Sequence, residues 1–400
     1  MKRRDETREE VSVGKWRANR LSELPPYLFS EIDRKKREAM ADGRDVIDLG
    51  VGAPDSPTPT FIVDRMGSAV RDGANHRYAF GLGMRELRSA ISAFFRRRFD
   101  VELDPVSEII TLLGSKEGVG HLPVGVIDPG DVVLVPAPGY PVYVSGTIFA
   151  GGVCHTMPLR EENDWLPVFE DIPADVLRRA KLMWLNYPNN PTAACADLAF
   201  FEKAVAFAKK HDILIAQDAA YTEVYFDTPP PSILQVPGAK DIAIELHSFS
   251  KTFNMTGWRL AFAVGNIDAL AALGKVKSNL DSGVFQAVQL AGAEAISNTD
   301  HVEVRAQSAT YRRRRDILVD GLREAGWEVT RPKATFYVWP KCPAGCDSWT
   351  VANRLLDEAD VVVIPGAGMS EYGEGFVRLA VTVGAERLKE AIERIKKVKF

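Results

Sequence analysis

The chain has 400 residues, of which 46% are hydrophobic and 26% charged, the composition of an ordinary globular protein long enough for two domains. A formal net charge of −4 gives no general electrostatic case for binding nucleic acid or an anionic membrane. The charged start, Met1–Glu6, lacks the apolar core of a signal peptide, and the most apolar later stretch, 260–273, is broken by polar residues and too short to span a bilayer.

The elements predicted along the first 300 residues alternate between helices and apolar strands. A loose charged arm over about residues 1–20 precedes a charged helix from Glu31 to Asp42, closed by Gly43, and a short strand at 46–50. Short apolar runs then alternate with helical patterns such as 198–211; the runs include 109–113, 132–135, 181–185, 213–216 and 261–264. Strands that are apolar throughout and alternate with helices indicate a mainly parallel sheet covered on both faces, hence an α/β fold.

The sequence texture changes after about residue 300. A long Arg-rich helix at 302–325 precedes alternating strands at 335–339 and 376–381, and a basic helix at 386–399 closes the chain. This order predicts a smaller α+β domain. Acidic residues flank the run Arg312–Arg315, which favours a solvated helix face over a nucleic-acid patch. We therefore predict an N-terminal arm with part of the small domain at 1–62, a large domain at 63–296 and a small C-terminal domain at 297–400.

Cysteine usage points to a reducing compartment, hence to the cytoplasm. The chain has four cysteines, too few for a disulfide framework in 400 residues. Cys342 and Cys346 are close together, whereas Cys154 and Cys195 have no histidine at ligand spacing. We do not expect a metal site.

Polar clusters follow three of the apolar runs, where ligands collect in an open α/β sheet. Residues 114–118 form a tight turn entering a helix, which suits a phosphate, although many such helix starts bind nothing. Residues 186–192 contain two Asn-Pro-type turns, which could also be a rigid loop. Asp218, at the mouth of a strand, is costly to desolvate without a cationic partner such as a pyridinium nitrogen. Tyr221 could then reach the phenolic oxygen of the same ring.

The most informative stretch is 247–259, in which Lys251 lies among hydroxyl residues with Arg259 eight residues on. One reason for a lysine in such a place is covalent: its amine condenses with the aldehyde of pyridoxal 5′-phosphate (PLP) to a Schiff base. The neighbouring serines and arginine would then hold the phosphate of that cofactor. The alternative is a solvated lysine in a Ser/Gly loop.

In combination these motifs resemble the class I/II aminotransferases, which are fold-type I PLP enzymes. The resemblance runs from about Leu24 to the C-terminus and rests on 190–192 (Asn-Pro-Thr), Asp218-x-x-Tyr221 and Ser248-x-Ser250-Lys251 with Arg259. It implies a large domain with a mainly parallel seven-stranded sheet, a smaller α+β domain and PLP as cofactor.

The resemblance also implies roles for individual residues. Lys251 is matched to the Schiff-base lysine that shuttles the proton, and Asp218 to the partner of the pyridine nitrogen. Asn190 and Tyr221 are matched to the pair that hydrogen-bonds the ring oxygen O3′. The residues matched to the phosphate cup are Ser115, Lys116, Ser248, Ser250 and Arg259.

Further matched positions concern the substrate and a second subunit. Tyr140 is matched to the aromatic ring stacked on the pyridine. Tyr78 is matched to the tyrosine that the partner subunit lends to the phosphate, which implies a homodimer with shared active sites. Arg378 is matched to the bidentate fork that binds the substrate α-carboxylate, although a strand arginine in a small domain is more often a surface residue. Gly52, Asn190 and, in the N-terminal arm, Tyr27 are matched to other substrate contacts.

One residue departs from the family pattern. Ala193 follows Asn-Pro-Thr where the family usually has glycine, and alanine tolerates a positive φ poorly.

The sequences of residues 114–118, 187–191 and 252–259 most resemble those of the LL-diaminopimelate aminotransferase group. This resemblance implies LL-diaminopimelate and tetrahydrodipicolinate as one substrate pair and glutamate and 2-oxoglutarate as the other. Alanine aminotransferases have nearly the same wording. One subgroup of aspartate aminotransferases has an arginine, in the region matched to 278–286, that lies near the distal carboxylate of the substrate in the partner chain. Residues 278–286 contain no arginine, which disfavours aspartate as the substrate. A PLP-dependent lyase or oxidase on the same scaffold stays open. A PLP-binding regulator is disfavoured because no helix-turn-helix pattern precedes the large domain.

Overall fold

The structure is a computed structural model and describes residues 16, 18–25 and 28–400. The helices are α1 (Leu28–Ala41), α2 (Thr60–Arg71), α3 (Arg85–Phe99), α4 (Ser115–Val126), α5 (Val142–Phe149), α6 (Ala174–Leu177), α7 (Leu198–His211), α8 (Phe249–Thr252), α9 (Ile267–Leu280), α10 (Gln286–Ser297), α11 (Val302–Glu324), α12 (Ser348–Ala359) and α13 (Ala385–Ile395). The strands are β1 (Ile47–Asp48), β2 (Ile109–Leu112), β3 (Val132–Ala137), β4 (Val153–Pro158), β5 (Ala180–Asn186), β6 (Leu214–Asp218), β7 (Ala243–Ser248), β8 (Ala261–Gly265), β9 (Tyr337–Val338), β10 (Val361–Val362), β11 (Ile364–Pro365) and β12 (Val377–Ala380).

A seven-stranded sheet forms the centre of the protein, in the order β2-β8-β7-β6-β5-β3-β4. Strand β8 is antiparallel to both of its neighbours, while the five strands from β7 to β4 run parallel to one another. The predicted α/β fold with a mainly parallel seven-stranded sheet is thus confirmed.

Helices cover both faces of this sheet, which is why its inner strands are apolar at consecutive positions. Adjacent residues of one strand enter opposite layers, as Ile109 and Ile110 do in β2 and Ile215 and Ala216 do in β6. One layer packs against α2, α3, α7 and α10, and the other against α4, α5 and α9.

Helix α7 illustrates how the sequence sets an element's bounds. The Asp197 carboxylate accepts the Phe200 N–H at 2.8 Å and caps the first turn, and Asp212, at φ 55°, ends the helix in a left-handed conformation. Its buried residues recur at helical spacing along one face: Phe200, Phe201, Ala204, Val205 and Ala208. The bounds agree with the predicted helix at 198–211.

A second core lies between α11, α12, α13 and the short strands β1 and β9–β12. Strand β1 pairs with β10 in parallel, which joins Ile47 to Val361 across more than 300 residues. Strand β12 pairs antiparallel with β11 and β9. Ala220 and Tyr221, two and three residues after the end of β6 in the large sheet, are buried in this second core. The end of β6 therefore lies where the two cores meet; the boundaries at 62/63 and 296/297 stay a prediction.

Candidate active site

The carboxyl ends of the parallel strands place the predicted polar clusters at one edge of the large sheet. Asn186 at the end of β5 is in register with Asp218 at the end of β6, and the Asn186 amide donates to the Asp218 carbonyl at 2.8 Å. Strand β7 ends at Ser248 beside them and leads directly into helix α8, which carries Lys251. Sheet geometry thus brings together residues that are far apart in sequence.

Lys251 points at the segment that follows β1. Its ammonium donates to the Gly52 carbonyl at 2.8 Å and lies 5.6 Å from the centre of the Phe336 ring. Burial, reinforced by the positive charges of Arg378 and Arg259, lowers the pKa of Lys251 to about 8. A large fraction of this amine is therefore neutral near pH 8, the form in which an amine is a nucleophile.

Asp218 is buried and held by neutral donors. The Tyr143 hydroxyl donates to Asp218 Oδ2 at 2.8 Å, and the Ala220 N–H donates to Oδ1 at 3.3 Å. Burial raises the pKa of Asp218, while the Tyr143 hydrogen bond and the charges of His247 and Lys251 oppose that shift. Tyr143 is itself buried, stacked on Trp184 with ring centres 5.0 Å apart. The structure thus supplies a polar partner for Asp218 that the sequence had not revealed.

Tyr221 is buried and its hydroxyl lies 3.0 Å from the hydroxyl of Tyr337. Burial, with the second phenol beside it, raises the pKa of Tyr221 well above its ordinary value. Tyr221 therefore stays a neutral phenol and can donate one hydrogen bond.

Arg378 is a buried arginine, 2% exposed, and not a surface residue of strand β12. Its two terminal nitrogens donate to Asn190 Oδ1 at 2.8 Å and to the Gly50 carbonyl at 2.7 Å. The guanidinium carbon lies 4.4 Å from the centre of the Tyr337 ring. The charge of Arg378 also lowers the Lys251 pKa, so the two side chains are close enough to interact electrostatically.

The loop that carries Asn190 is fixed by side-chain hydrogen bonds. The Asn190 N–H donates to Asn186 Oδ1 at 2.9 Å, and Asn189 Oδ1 accepts from both the N–H and the hydroxyl of Thr192. Ala193 adopts φ 60°, the left-handed conformation that glycine takes more readily. The loop therefore keeps the backbone conformation of a glycine at a cost of order 1 kcal/mol.

The residues matched to a phosphate cup lie around the start of helix α4. Gly114 precedes the helix at φ 84°, and a Cβ there would lie 2.2 Å from Arg259 Nη2, so the guanidinium covers the turn that leads to Ser115 and Lys116. Ser115 is half-buried and Lys116 exposed, whereas Ser248 and Ser250 are buried. The Ser250 N–H donates to Ser248 Oγ at 3.2 Å. The first N–H groups of α4 have no partner within the helix, which favours an anion at this point.

The remaining predicted residues differ in their placement. The Tyr140 ring packs edge-on against Tyr143, with ring centres 5.8 Å apart, so it lies beside the Asp218 cluster. Tyr78 is 72% exposed, and its ring lies next to that of Phe80. Among the described residues, it makes no ring contact or hydrogen bond with the site residues named above. Tyr27 lies outside the described residues.

Two tyrosines belong to this site that sequence reasoning missed. Tyr143, in the first turn of α5, follows Tyr140 by only three residues, and this closeness to a residue matched to the site is the one signal in the sequence that points to it. The sequence places Tyr337 in an alternating strand, and nothing in its sequence neighbourhood indicates the long-range contacts that it makes.

Within residues 28–400, side chains of the types that bind metals also meet between α4 and the end of α9. Glu117, His121 and Asp281 place ligand atoms close together. The buried Lys277 ammonium lies 3.2 Å from Glu117 and 2.8 Å from Asp281, so both carboxylates already face a protein cation. No helix of the described chain is long and apolar enough to cross a membrane.

Comparisons with known proteins agree with the family resemblance of the sequence. The family model for aminotransferase class I and II matches residues 44–395. The LL-diaminopimelate aminotransferase of Aquifex aeolicus is 53% identical over 384 residues, 96% of this chain and 99% of the relative. That of Syntrophobacter fumaroxidans is 52% identical over 385 residues, again 96% and 99%. A substrate-bound structure of BacF from Bacillus subtilis has a TM-score of 0.92 and 39% identity, covering 96% of this chain and 98% of its own.

Proposed function

The chain belongs to the class I and II aminotransferases, and we propose that it uses PLP to move an amino group from LL-diaminopimelate to 2-oxoglutarate. The products are glutamate and a keto acid that cyclises, with loss of water, to tetrahydrodipicolinate. The observation that carries the proposal is the convergence of Lys251, whose pKa is lowered to about 8, with the buried Arg378 at the end of the large sheet.

The residues at this edge of the sheet fit PLP by their chemistry. A partly neutral amine at Lys251 suits an aldehyde, and a buried carboxylate at Asp218 suits a protonated pyridine nitrogen. Arg259 and the start of α4 suit a phosphate, and the absence of a side chain at Gly114 lets the guanidinium approach the turn. When bound, PLP supplies an electron sink that lets the Cα–H bond of an amino acid ionise.

Lys251 Nζ carries the proton in this proposal. The Gly52 carbonyl, 2.8 Å away, accepts from the amine and holds it in one position. With a pKa near 8, Nζ can take the proton from the substrate Cα and give it back at neutral to mildly alkaline pH.

Arg378 binds the substrate α-carboxylate in this proposal. Its two terminal nitrogens are anchored by hydrogen bonds to Asn190 and to the Gly50 carbonyl, so the planar guanidinium is held in one orientation, and a guanidinium matches a carboxylate by two parallel hydrogen bonds. Asn190 thus helps to fix the orientation of the guanidinium. Because lysine cannot reproduce this two-pronged geometry, we expect Arg378→Lys to raise the KM for donor and acceptor alike.

We also propose a homodimer in which Tyr78 reaches the partner's site. Tyr78 and Phe80 are 72% and 75% exposed in the single chain, an unusual setting for two adjacent aromatic rings. Their loop is held in place by the Gln286 amide, which donates to the Arg77 carbonyl at 3.3 Å. Sedimentation should give twice the chain mass, and Tyr78→Ala should weaken PLP binding without changing the residues of its own site.

The substrate assignment rests on the relatives whose names carry LL-diaminopimelate and which are about half identical over nearly the whole chain. A panel of LL-diaminopimelate, alanine and aspartate, each with 2-oxoglutarate and read by product mass, tests it. Formation of glutamate with LL-diaminopimelate, at a kcat/KM well above that with alanine or aspartate, supports the proposal. A clear preference for alanine overturns the assignment of LL-diaminopimelate as amino donor but leaves transamination as the reaction.

The cofactor and reaction type have their own test. Purified protein incubated with PLP should gain a visible absorbance band, and Lys251→Ala should lose it while Lys209→Ala, at an exposed ion pair with Asp241, keeps it. Release of ammonia, or oxygen consumption, without any 2-oxo acid would instead indicate a lyase or an oxidase. A cytoplasmic location stays a prediction.

A further inference from the structure

Tyr337 is the residue that joins the otherwise separate parts of the site. It is 3% exposed and lies in strand β9, at one edge of the three-stranded sheet β11-β12-β9. Its hydroxyl lies 3.0 Å from that of Tyr221, and its ring lies under the Arg378 guanidinium at 4.4 Å. A Cβ on Gly52 would lie 2.0 Å from the Tyr337 hydroxyl oxygen, so the phenol also packs directly on the backbone whose carbonyl accepts from Lys251.

The strand register explains why one residue can make these contacts. Tyr337 is opposite Ala380 in the antiparallel pair of β9 and β12, and Arg378 is two residues before Ala380. Residues in this diagonal relation share a face and are within reach of long side chains. The guanidinium therefore lies over the ring because of the pairing, and the hydroxyl projects past it toward Tyr221.

The direction of the tyrosine–tyrosine hydrogen bond decides what Tyr221 can do. A phenol has one proton, so Tyr221 can donate to a cofactor only when it does not donate to Tyr337. If Tyr337 is the donor, Tyr221 keeps its proton for the ring oxygen of PLP, and the chain of two hydrogen bonds strengthens that donation.

We propose that Tyr337 is a positioning residue with two separable tasks: its hydroxyl donates to Tyr221 and so aims that phenol at the cofactor, and its ring holds the Arg378 guanidinium for the substrate carboxylate. This inference rests on the proposed function of the site. A tyrosine that only fills the second core would neither orient Tyr221 nor hold Arg378.

Two substitutions separate the tasks. Tyr337→Phe keeps the ring and removes the donor. With the PLP-loaded enzyme and no substrate, the pH midpoint of the visible band should rise by about half a unit to one unit, because the ring oxygen of PLP loses part of its stabilisation. The KM values should stay within about twofold of the wild-type values while kcat falls.

Tyr337→Leu removes the ring as well. The pH midpoint should rise as in Tyr337→Phe, and the KM for both amino donor and 2-oxo acceptor should increase by roughly three- to thirtyfold, the range expected for loss of a cation–π contact at a partly desolvated site. Tyr311→Phe is the matched control, since Tyr311 is a buried tyrosine of the same core that also contacts Phe336. It should change neither the midpoint nor the KM.

The outcomes are distinguishable. A wild-type protein that gains no visible band with PLP overturns the proposed function and this inference with it. A wild-type band whose midpoint Tyr337→Phe does not move overturns the hydroxyl task, and an unchanged KM in Tyr337→Leu overturns the ring task. Thermal unfolding of the cofactor-free variants shows whether either effect comes from a loss of folded protein.

Discussion

Replacing Gly52 by alanine perturbs the site by a single methyl group whose position the structure defines. The added Cβ would lie 2.0 Å from Tyr337 Oη and 2.7 Å from Cζ of the same ring. Non-bonded carbon contacts are most favourable at about 3.5–4.0 Å, so the phenol must move by more than 1 Å. That movement pulls the Tyr337 hydroxyl away from Tyr221 and the ring away from Arg378.

The size of the effect follows from these contacts. Overpacking a tightly packed position costs about 1–3 kcal/mol of folding free energy. A displacement of about 1 Å at groups that position a substrate can lower the rate by about 100-fold. We therefore expect Gly52→Ala to unfold at lower urea concentration and to lose about two orders of magnitude in kcat/KM. Unfolding must be compared at equal protein concentration, because dimer formation would couple stability to concentration.

A control substitution and a double variant test whether the effect comes from the collision with Tyr337. Gly67, in helix α2, has open space around its missing Cβ, so Gly67→Ala should leave activity unchanged and add about 0.5–1 kcal/mol of stability. The double variant Gly52→Ala with Tyr337→Leu removes the colliding ring, and should recover stability without recovering activity. Gly52→Ala with wild-type stability and activity would refute the close packing of Tyr337 on the Gly52 backbone.

Three further predictions concern the cofactor. Tyr143→Phe keeps the ring stacked on Trp184 but removes a hydrogen bond that lowers the Asp218 pKa, so the carboxylate ionises less readily. The dissociation constant for PLP at pH 8 should therefore rise about tenfold. A wild-type dissociation constant in equilibrium dialysis would contradict this. Because burial and nearby cations lower the Lys251 pKa to about 8, its protonated form is lost as pH rises through 8, and the rate at which the visible band forms on adding PLP should increase with pH and level off above about pH 8. A stopped-flow rate that keeps rising to about pH 10.4, as for an ordinary lysine, would be inconsistent with that shift. Gly114→Ala, at φ 84° and with a Cβ 2.2 Å from Arg259, should weaken PLP binding at least about tenfold in a fluorescence titration, and unchanged affinity would argue against Arg259 as a phosphate ligand.

The family and the fold could be predicted from the sequence because their signals are local. Buried strands between two helical layers must be apolar at consecutive positions, and that texture is visible in runs such as 181–185 and 213–216. Lys251, Asp218 and Arg259 are also visible, because residues of these types are costly to place beside apolar strands without a task. Ala193 departs from the motif in sequence, yet its backbone adopts a positive φ of 60°, as glycine would.

Other features depended on which strands pair and in what register. The sequence suggested a cationic partner for Asp218, but not the Tyr143 hydroxyl that β6 and α5 bring to it from 75 residues away. Arg378 could be read as a surface residue until β12 was paired with β9 and β11 in the second core.

Residue types and their spacing were enough to predict the chemical groups of the site: an amine, a carboxylate, a turn suited to an anion and a guanidinium at the ends of buried strands. The tertiary structure alone decided how they act on one another. Charges from Arg378 and Arg259 reach Lys251, and Tyr337 reaches both Tyr221 and Arg378, only because two cores meet at the end of β6. The physical reason is that residue type and local periodicity are properties of short segments, whereas burial, electrostatic coupling and register arise from contacts between segments distant in sequence.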